Sequence, residues 1–301
     1  MTRIASFGQQ DVLLQNTLRN QQRLSVTQQQ ITTGKKANDF GQLAPNTQEA
    51  LSVRNARASV DAFRSTVQTV QRTTSIYEAT LGNIETAVDD ARQSVLNALA
   101  QKDAEGLMQQ LEASFGNVIG ALNTRINDEF VFSGASTDTP PVVNMSFQDF
   151  LALPDPADIL QNDSTKKRAL IDEGVELEFG QLADEVAGDF LATLHSLGNA
   201  PVAGTLDQTE EDLLTVELNA LDQARSDVQS AITRNGLNIR RLEELDVQHA
   251  ETQDFLGGLI GDIEDINLAE AVTRLNQQQT TIEASFRTIG TLSRLSLLDF
   301  I

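Results

Sequence analysis

The chain has 301 residues, no Cys or Trp, one Tyr and a net charge of −21 from 43 acidic and 22 basic residues. Such a field repels a phosphate backbone and argues against nucleic-acid binding, while the absence of Cys excludes a disulfide framework, thiol catalysis and Cys-ligated zinc. His195 and His249 are the only histidines and no apolar run approaches 18 residues, so neither a histidine metal site nor a membrane span is expected.

The N-terminal stretch MTRIASFGQQDVLLQNTLRNQQ lacks the apolar run of a cleaved secretory signal, and any export is expected to use another route. Residues 9–31 then place Leu14, Leu18, Leu24 and Ile31 among eight glutamines. That stripe is too narrow and broken to hold a helix down by itself.

The strongest periodicity lies in 53–98. Steps of three and four residues give Val53, Ala56, Val60, Phe63, Val67, Val70, Thr74, Tyr77, Leu81, Ile84, Val88, Ala91, Val95 and Ala98, with Thr74 the one polar position. A period of 3.5 residues keeps one helix face against a partner. At 1.5 Å per residue this helix runs roughly 70 Å, far beyond the average of about 11–12 residues. A second helix is expected over Ala104–Asp128, with Leu107, Leu111, Phe115, Val118, Leu122 and Ile126 on one face.

Residues 133–212 differ in kind. They hold 16 acidic and 3 basic residues and five of the six prolines, which disfavours long helices there. Phe130 and Phe132 before Ser133-Gly134 read as a strand entering a turn, and EGVELEF over 173–179 alternates as a half-buried strand. An acidic β-containing insert is the expectation.

Beyond it, Leu214, Leu218, Leu221, Val228, Ile232, Ile239 and Leu242 keep near-heptad spacing, interrupted by Arg225 and Asn235. Residues 213–250 are expected to pack antiparallel to 53–98, with a kink at Gly236 and a break at Gly257-Gly258. Leu268, Val272, Leu275, Gln279, Ile282, Phe286 and Ile289 repeat the steps of four and three, and the chain finishes in Leu292, Leu295, Leu297, Leu298, Phe300 and Ile301. Chain ends are ordinarily polar and frayed, so an apolar end points to burial against another molecule.

Catalytic chemistry is missing. Asp89-Asp90, Glu210-Glu211-Asp212, Glu243-Glu244 and Asp262/Glu264/Asp265 lack a neighbouring His or Cys and read as solvated faces. The stretch 262–265 lacks the Gly and terminal Glu of a calcium loop, and the glycines form no phosphate-cradling fingerprint. Lys35-Lys36 and Lys166-Lys167-Arg168 are too short for nucleic acid, and both histidines read as packing or surface residues. Neither an enzyme nor a cofactor is expected.

The segment Leu24-Ser-Val-Thr-Gln-Gln-Gln-Ile-Thr-Thr-Gly-Lys-Lys36 resembles the N-terminal pattern of the flagellin family, in which a Gln-rich helix ends in an Ile-x-Thr/Ser-Gly-Lys turn. Asp265-Ile-Asn-Leu-Ala-Glu-Ala-Val-Thr-Arg-Leu-Asn-Gln-Gln-Gln279, followed by Ile282-Glu-Ala-Ser285, is similar to its C-terminal helix. The resemblance covers residues 1–140 and 210–301, and the stretch Ala37–Pro45 departs from the family pattern. Phe130-Val-Phe-Ser-Gly-Ala-Ser-Thr-Asp-Thr-Pro-Pro141 and the ending Ser296-Leu-Leu-Asp-Phe-Ile301 look like the flagellin-like hook-associated proteins of that family; filament flagellin is the alternative.

The resemblance implies a mainly α fold: a long antiparallel coiled-coil rod from the N- and C-terminal segments, with a small acidic β-containing inserted domain. The expected division is 1–44, an N-terminal assembly helix; 45–132, rod; 133–212, outer insert; 213–256, rod; and 257–301, a C-terminal assembly helix. It implies a structural subunit of the bacterial flagellum, exported without a cleaved signal and joining hook to filament outside the cell. Implied partners are other copies of the chain, the neighbouring hook-associated protein and flagellin, and an export chaperone at the C-terminal helix. The assembly interface is expected at Leu14, Leu18, Leu24, Ile31, Leu275, Ile282, Phe286, Ile289, Leu292, Leu295 and Leu298. An intracellular coiled-coil adaptor would need the same heptads and no external location.

Overall fold

The computed structural model of the chain describes residues 2–37, 39, 41 and 46–298, with side chains between 11 and 291 of that set. The fold is mainly α, as the heptads predict. Helices α1 (Thr2–Thr33), α2 (Thr47–Gln101), α3 (Leu107–Leu122), α4 (Phe147–Leu151), α5 (Ala183–Asn199), α6 (Gln208–Glu264) and α7 (Leu268–Leu298) accompany two antiparallel hairpins, β1 (Arg125–Ile126) with β2 (Glu129–Phe130) and β3 (Arg168–Asp172) with β4 (Val175–Glu178). None of the described helices is long and apolar enough to cross a membrane. The chain divides into two compact units, residues 1–59 with 252–301, and residues 60–251. The second carries the entire net charge of −21; the first is neutral, with ten acidic and ten basic residues.

Within 60–251, α2 and α6 pair antiparallel along the seam read from sequence. Val67, Thr74, Leu81, Val88 and Val95 on α2 are buried at intervals of seven, and so are Leu221, Val228, Asn235, Leu242 and His249 on α6. Cross-links repeat at the flanks: Arg64–Asp246 at 2.9 Å, Arg92–Asp222 at 2.5 Å and Arg225–Asp89 at 2.6 Å. Each of these partly exposed pairs contributes about 0.2–1 kcal/mol; the buried seam, at about 1.5–3 kcal/mol per apolar side chain, dominates. α6 starts with reciprocal caps, in which Asp207 Oδ1 accepts from Thr209 N and Glu210 N while Glu210 Oε2 accepts from Asp207 N.

Several expectations change. α3 is shorter than Ala104–Asp128: Gly106, at φ 80°, opens it, and Asn123 closes it. Asn127 and Asp128, both at positive φ, form the two-residue turn between β1 and β2, so Ile126 is in a strand. β2 ends at Phe130, and Phe132 lies beyond it, fully buried, with its carbonyl accepting from Ala183 N. The proline-rich third contains α5, a 17-residue helix with Val186, Phe190, Leu194 and Leu197 buried; its prolines all fall outside 157–200. β4 falls within the expected strand at 173–179, while Glu173 and Gly174, at φ 69°, form the turn to its partner β3, which ends at Asp172. α6 runs unbroken through Gly236, Gly257 and Gly258.

An aromatic cluster joins the insert to α3. Phe115, Phe147 and Phe150 cluster with centroids 4.8–6.3 Å apart, and His195 packs edge-on against Phe150. His195 Nε2 lies 3.1 Å from the Leu153 carbonyl and His249 Nε2 3.0 Å from the Ile171 carbonyl, so each Nε2 donates. Among the described residues, no group of three or more His, Asp or Glu side chains could hold a metal ion.

Candidate assembly interface

The terminal unit is built on α1 and α7, which pair antiparallel from the point where α1 ends and α7 begins. The side chains turned into the pair follow steps of four and three: Leu13, Thr17, Asn20, Leu24, Thr27 and Ile31 on α1, with Ala271, Leu275, Gln278, Ile282, Ser285 and Ile289 on α7. Half of these positions are polar or small. Thr17 and Thr27 return their hydroxyls to the Leu13 and Arg23 carbonyls of their own helix, so neither links the two helices. Only Ile282 among the large apolar members is buried; the others stay half-buried. This seam buries fewer large apolar side chains than the one between α2 and α6 and draws correspondingly less stabilisation from them.

At its base the pair is clasped. Gly34 takes the left-handed conformation, φ 72°, that ends α1. The following turn is bridged to the turn between α6 and α7: Lys36 N donates to the Glu264 carbonyl at 2.6 Å, and Ile266 N to the Gly34 carbonyl at 2.9 Å. Lys36 Nζ caps the α6 C-terminus through the Asp262 and Ile263 carbonyls. Arg54 Nε and Nη2 each donate to Glu264 at 2.7 Å, a bidentate pair, and Lys35 Nζ bridges Asp265 at 2.6 Å and Glu264 at 3.5 Å. The Glu264 side chain is only 5% exposed. The Arg54 guanidinium, with Lys35 beside it, holds its carboxyl below the usual range despite burial. The hydrogen bond to Asp265 raises the Lys35 ammonium in turn.

Of the eleven residues expected at the interface, Leu24, Ile31, Leu275, Ile282 and Ile289 are brought together inside the pair. Leu14, Leu18 and Phe286 face outward, each more than half exposed. The helical period explains this: Leu14 and Leu18 lie about 100–140° around α1 from its inward stripe. Leu292, Leu295 and Leu298 fall in α7, with their side chains outside the described residues, as are the structure at 42–45 and the last three residues. The polar seam members were missed because they carry no apolar signal, although continuing the four-three step backward from Ile31 reaches them. No sequence signal marks the Arg54–Glu264 pair.

Residues 4–137 match the bacterial flagellin N-terminal helical region. Among curated proteins none matches the chain. The fold is similar to that of a Vibrio parahaemolyticus protein assigned as a flagellar hook-associated protein, at 18% identity and a TM-score of 0.59, over 73% of this chain and 97% of that one. It is likewise similar to Bacillus cereus FlgL, at 14% identity and a TM-score of 0.57, over 69% of this chain and 98% of that one. The flagellin match contains nearly all of α1, the turn at Gly34–Lys36 and the whole of α2, so it takes in the Lys35, Lys36 and Arg54 side of the clasp, while Glu264 and Asp265 lie beyond it.

Proposed function

We propose that the chain is a non-enzymatic structural subunit of the bacterial flagellum, placed at the junction of hook and filament. In this reading it polymerises through α1 and α7 with copies of itself and with neighbouring hook-associated protein and flagellin. One observation carries this reading. α1 and α7 spend their inward stripe on a half-polar seam while Val12, Leu14, Leu18, Val26, Val272 and Phe286 stand exposed. Large apolar side chains left outside a weak pair gain by burial against further molecules. The flagellin match and the similarity of fold to hook-associated proteins supply the setting.

The neutral terminal unit supports the same reading, since identical units can crowd without net repulsion. The acidic residues 60–251 suit an outward, hydrated position. A chaperone occupying α7 before export would cover the exposed Val272 and Phe286. Immunogold labelling of isolated flagella tests the assignment. A single band at the hook-proximal end of the filament is expected. Label along the whole filament would make the chain a filament flagellin, and signal confined to the cytoplasm would make it an adaptor.

A further inference from the structure

We infer that the α1–α7 pair is two-faced, and that the Arg19–Arg23 flank of one copy receives the Glu283 flank of the next; this rests on the polymer reading above.

One flank of the pair is a groove of about 400 Å³ lined by Arg19, Arg23, Val26 and Gln30 of α1 and by Arg274 and Gln278 of α7. Arg274 is held by Glu270 at 2.6 Å, whereas Arg19 and Arg23, one turn apart, have no acidic partner among the described residues. Gln278 Oε1 is buried there without a donor. An unpaired buried acceptor beside two unpaired guanidinium groups asks for a ligand with a carboxylate and an N–H.

The opposite flank offers both. Going round each helix away from the groove brings Leu14, Leu18 and Gln21 on α1 and Gln279, Glu283 and Phe286 on α7. Glu283 is exposed and has no cationic partner among the described residues. It also stands at the right height. From the Lys35–Asp265 bridge, Arg19 and Glu283 lie about 24 Å and 27 Å along their helices, at 1.5 Å per residue. Copies set side by side without an axial shift therefore bring Glu283 level with Arg19, and a Gln279 or Gln21 amide level with the Gln278 acceptor.

Because the two flanks differ, the contact is head-to-tail rather than two-fold, and it generates a ring or helix of copies. Unlike charges fix which flank meets which, and equal flanks repel.

The absence of Cys from the natural chain allows a clean test. Gln22→Cys and Gln279→Cys leave Arg19, Arg23 and Glu283 in place. With both in one chain assembled on flagella, a short bismaleimide should give dimers, trimers and higher ladders, and either alone only monomers. In parallel, Arg19→Glu with Arg23→Glu should lower incorporation by about tenfold or more, and adding Glu283→Arg should restore it. Recovery by the compensating change excludes misfolding as the cause of the loss. Dimers from a single-cysteine chain, or wild-type levels of incorporation by the Arg19→Glu/Arg23→Glu chain, would overturn the two-faced contact and leave the polymer reading standing. Failure of the unmodified chain to enter flagella would overturn both.

Discussion

Asn235 of α6 donates its Nδ2 to the backbone carbonyl of Thr74 on α2, 2.9 Å away and 161 positions earlier in the chain. Thr74 and Asn235 are polar interruptions of two otherwise largely apolar seams, both are buried, and they meet. A polar residue at one heptad position fixes register at a cost in stability. Here the cost is visible, since Asn235 Oδ1 is buried without a partner. Asn235→Leu should raise unfolding stability by about 1 kcal/mol, measured by urea denaturation. Asn235→Asp, which sets a carboxylate against the Thr74 carbonyl, should lower it by about 3 kcal/mol. A loss of stability in Asn235→Leu would show that the amide contributes more than register.

The clasp predicts a pH dependence. Because the Glu264 carboxyl is depressed in the folded state, its stabilisation is fully present above the unfolded value of about 4.3. It disappears as pH falls through the lower folded value. Glu264→Gln should cost about 2 kcal/mol at pH 7, and the difference from wild type should shrink towards zero in strong acid. Urea unfolding of both proteins at pH 7 and pH 3 checks this; a difference that persists unchanged at the lower pH would mean that the charge is irrelevant.

Tyr77 is the only tyrosine, and its hydroxyl donates to the Val131 carbonyl at 2.5 Å in a buried site. Burial pushes its phenol up to about 12. Since the neutral form is the one the fold accommodates, this contribution is intact below pH 10, the unfolded value, and is lost as pH rises towards 12. Phenolate absorbance should titrate near 12 in the native chain and near 10 in urea, with no second phenol to confuse the signal. Tyr77→Phe should cost about 1 kcal/mol.

Gly134 sits at φ 72°, where an added Cβ would lie 2.3 Å from Asp163 Oδ1 and 2.9 Å from the Thr165 carbonyl. Asp163 uses that oxygen to bind Ala135 N and Thr165 N, so the side chain cannot swing away freely. Gly134→Ala should lower stability by more than about 2 kcal/mol, read by thermal unfolding. Gly116→Ala, on α3 with open space around it, should be neutral or slightly stabilising.

How much of this was legible depended on whether one period carried the signal. Val67 to Ala98 announced their burial because nearly every seam position is apolar. Thr17, Asn20, Thr27, Gln278 and Ser285 occupy an equally regular seam, yet nothing in their chemistry separates them from a solvated face. Leu14 and Leu18 stand out in the sequence as apolar, but no pattern in it says that they lie outside the intramolecular seam of α1. α5 is hidden because the prolines of 133–212 read as breaking the whole segment, whereas none falls between Pro156 and Pro201. The Arg54–Glu264 pair joins residues 210 positions apart, a closeness that no local pattern encodes.

The segregation of charge has a consequence for crowding. Any array of these chains concentrates its electrostatic self-energy in residues 60–251, with a diffuse excess of cations around them, while residues 1–59 and 252–301 add no net charge. Thickening the ionic atmosphere shortens the reach of that repulsion to about 8 Å at 0.15 M. Salt therefore relaxes the bodies of neighbouring chains, and the osmotic pressure of their counter-ions keeps those bodies wet.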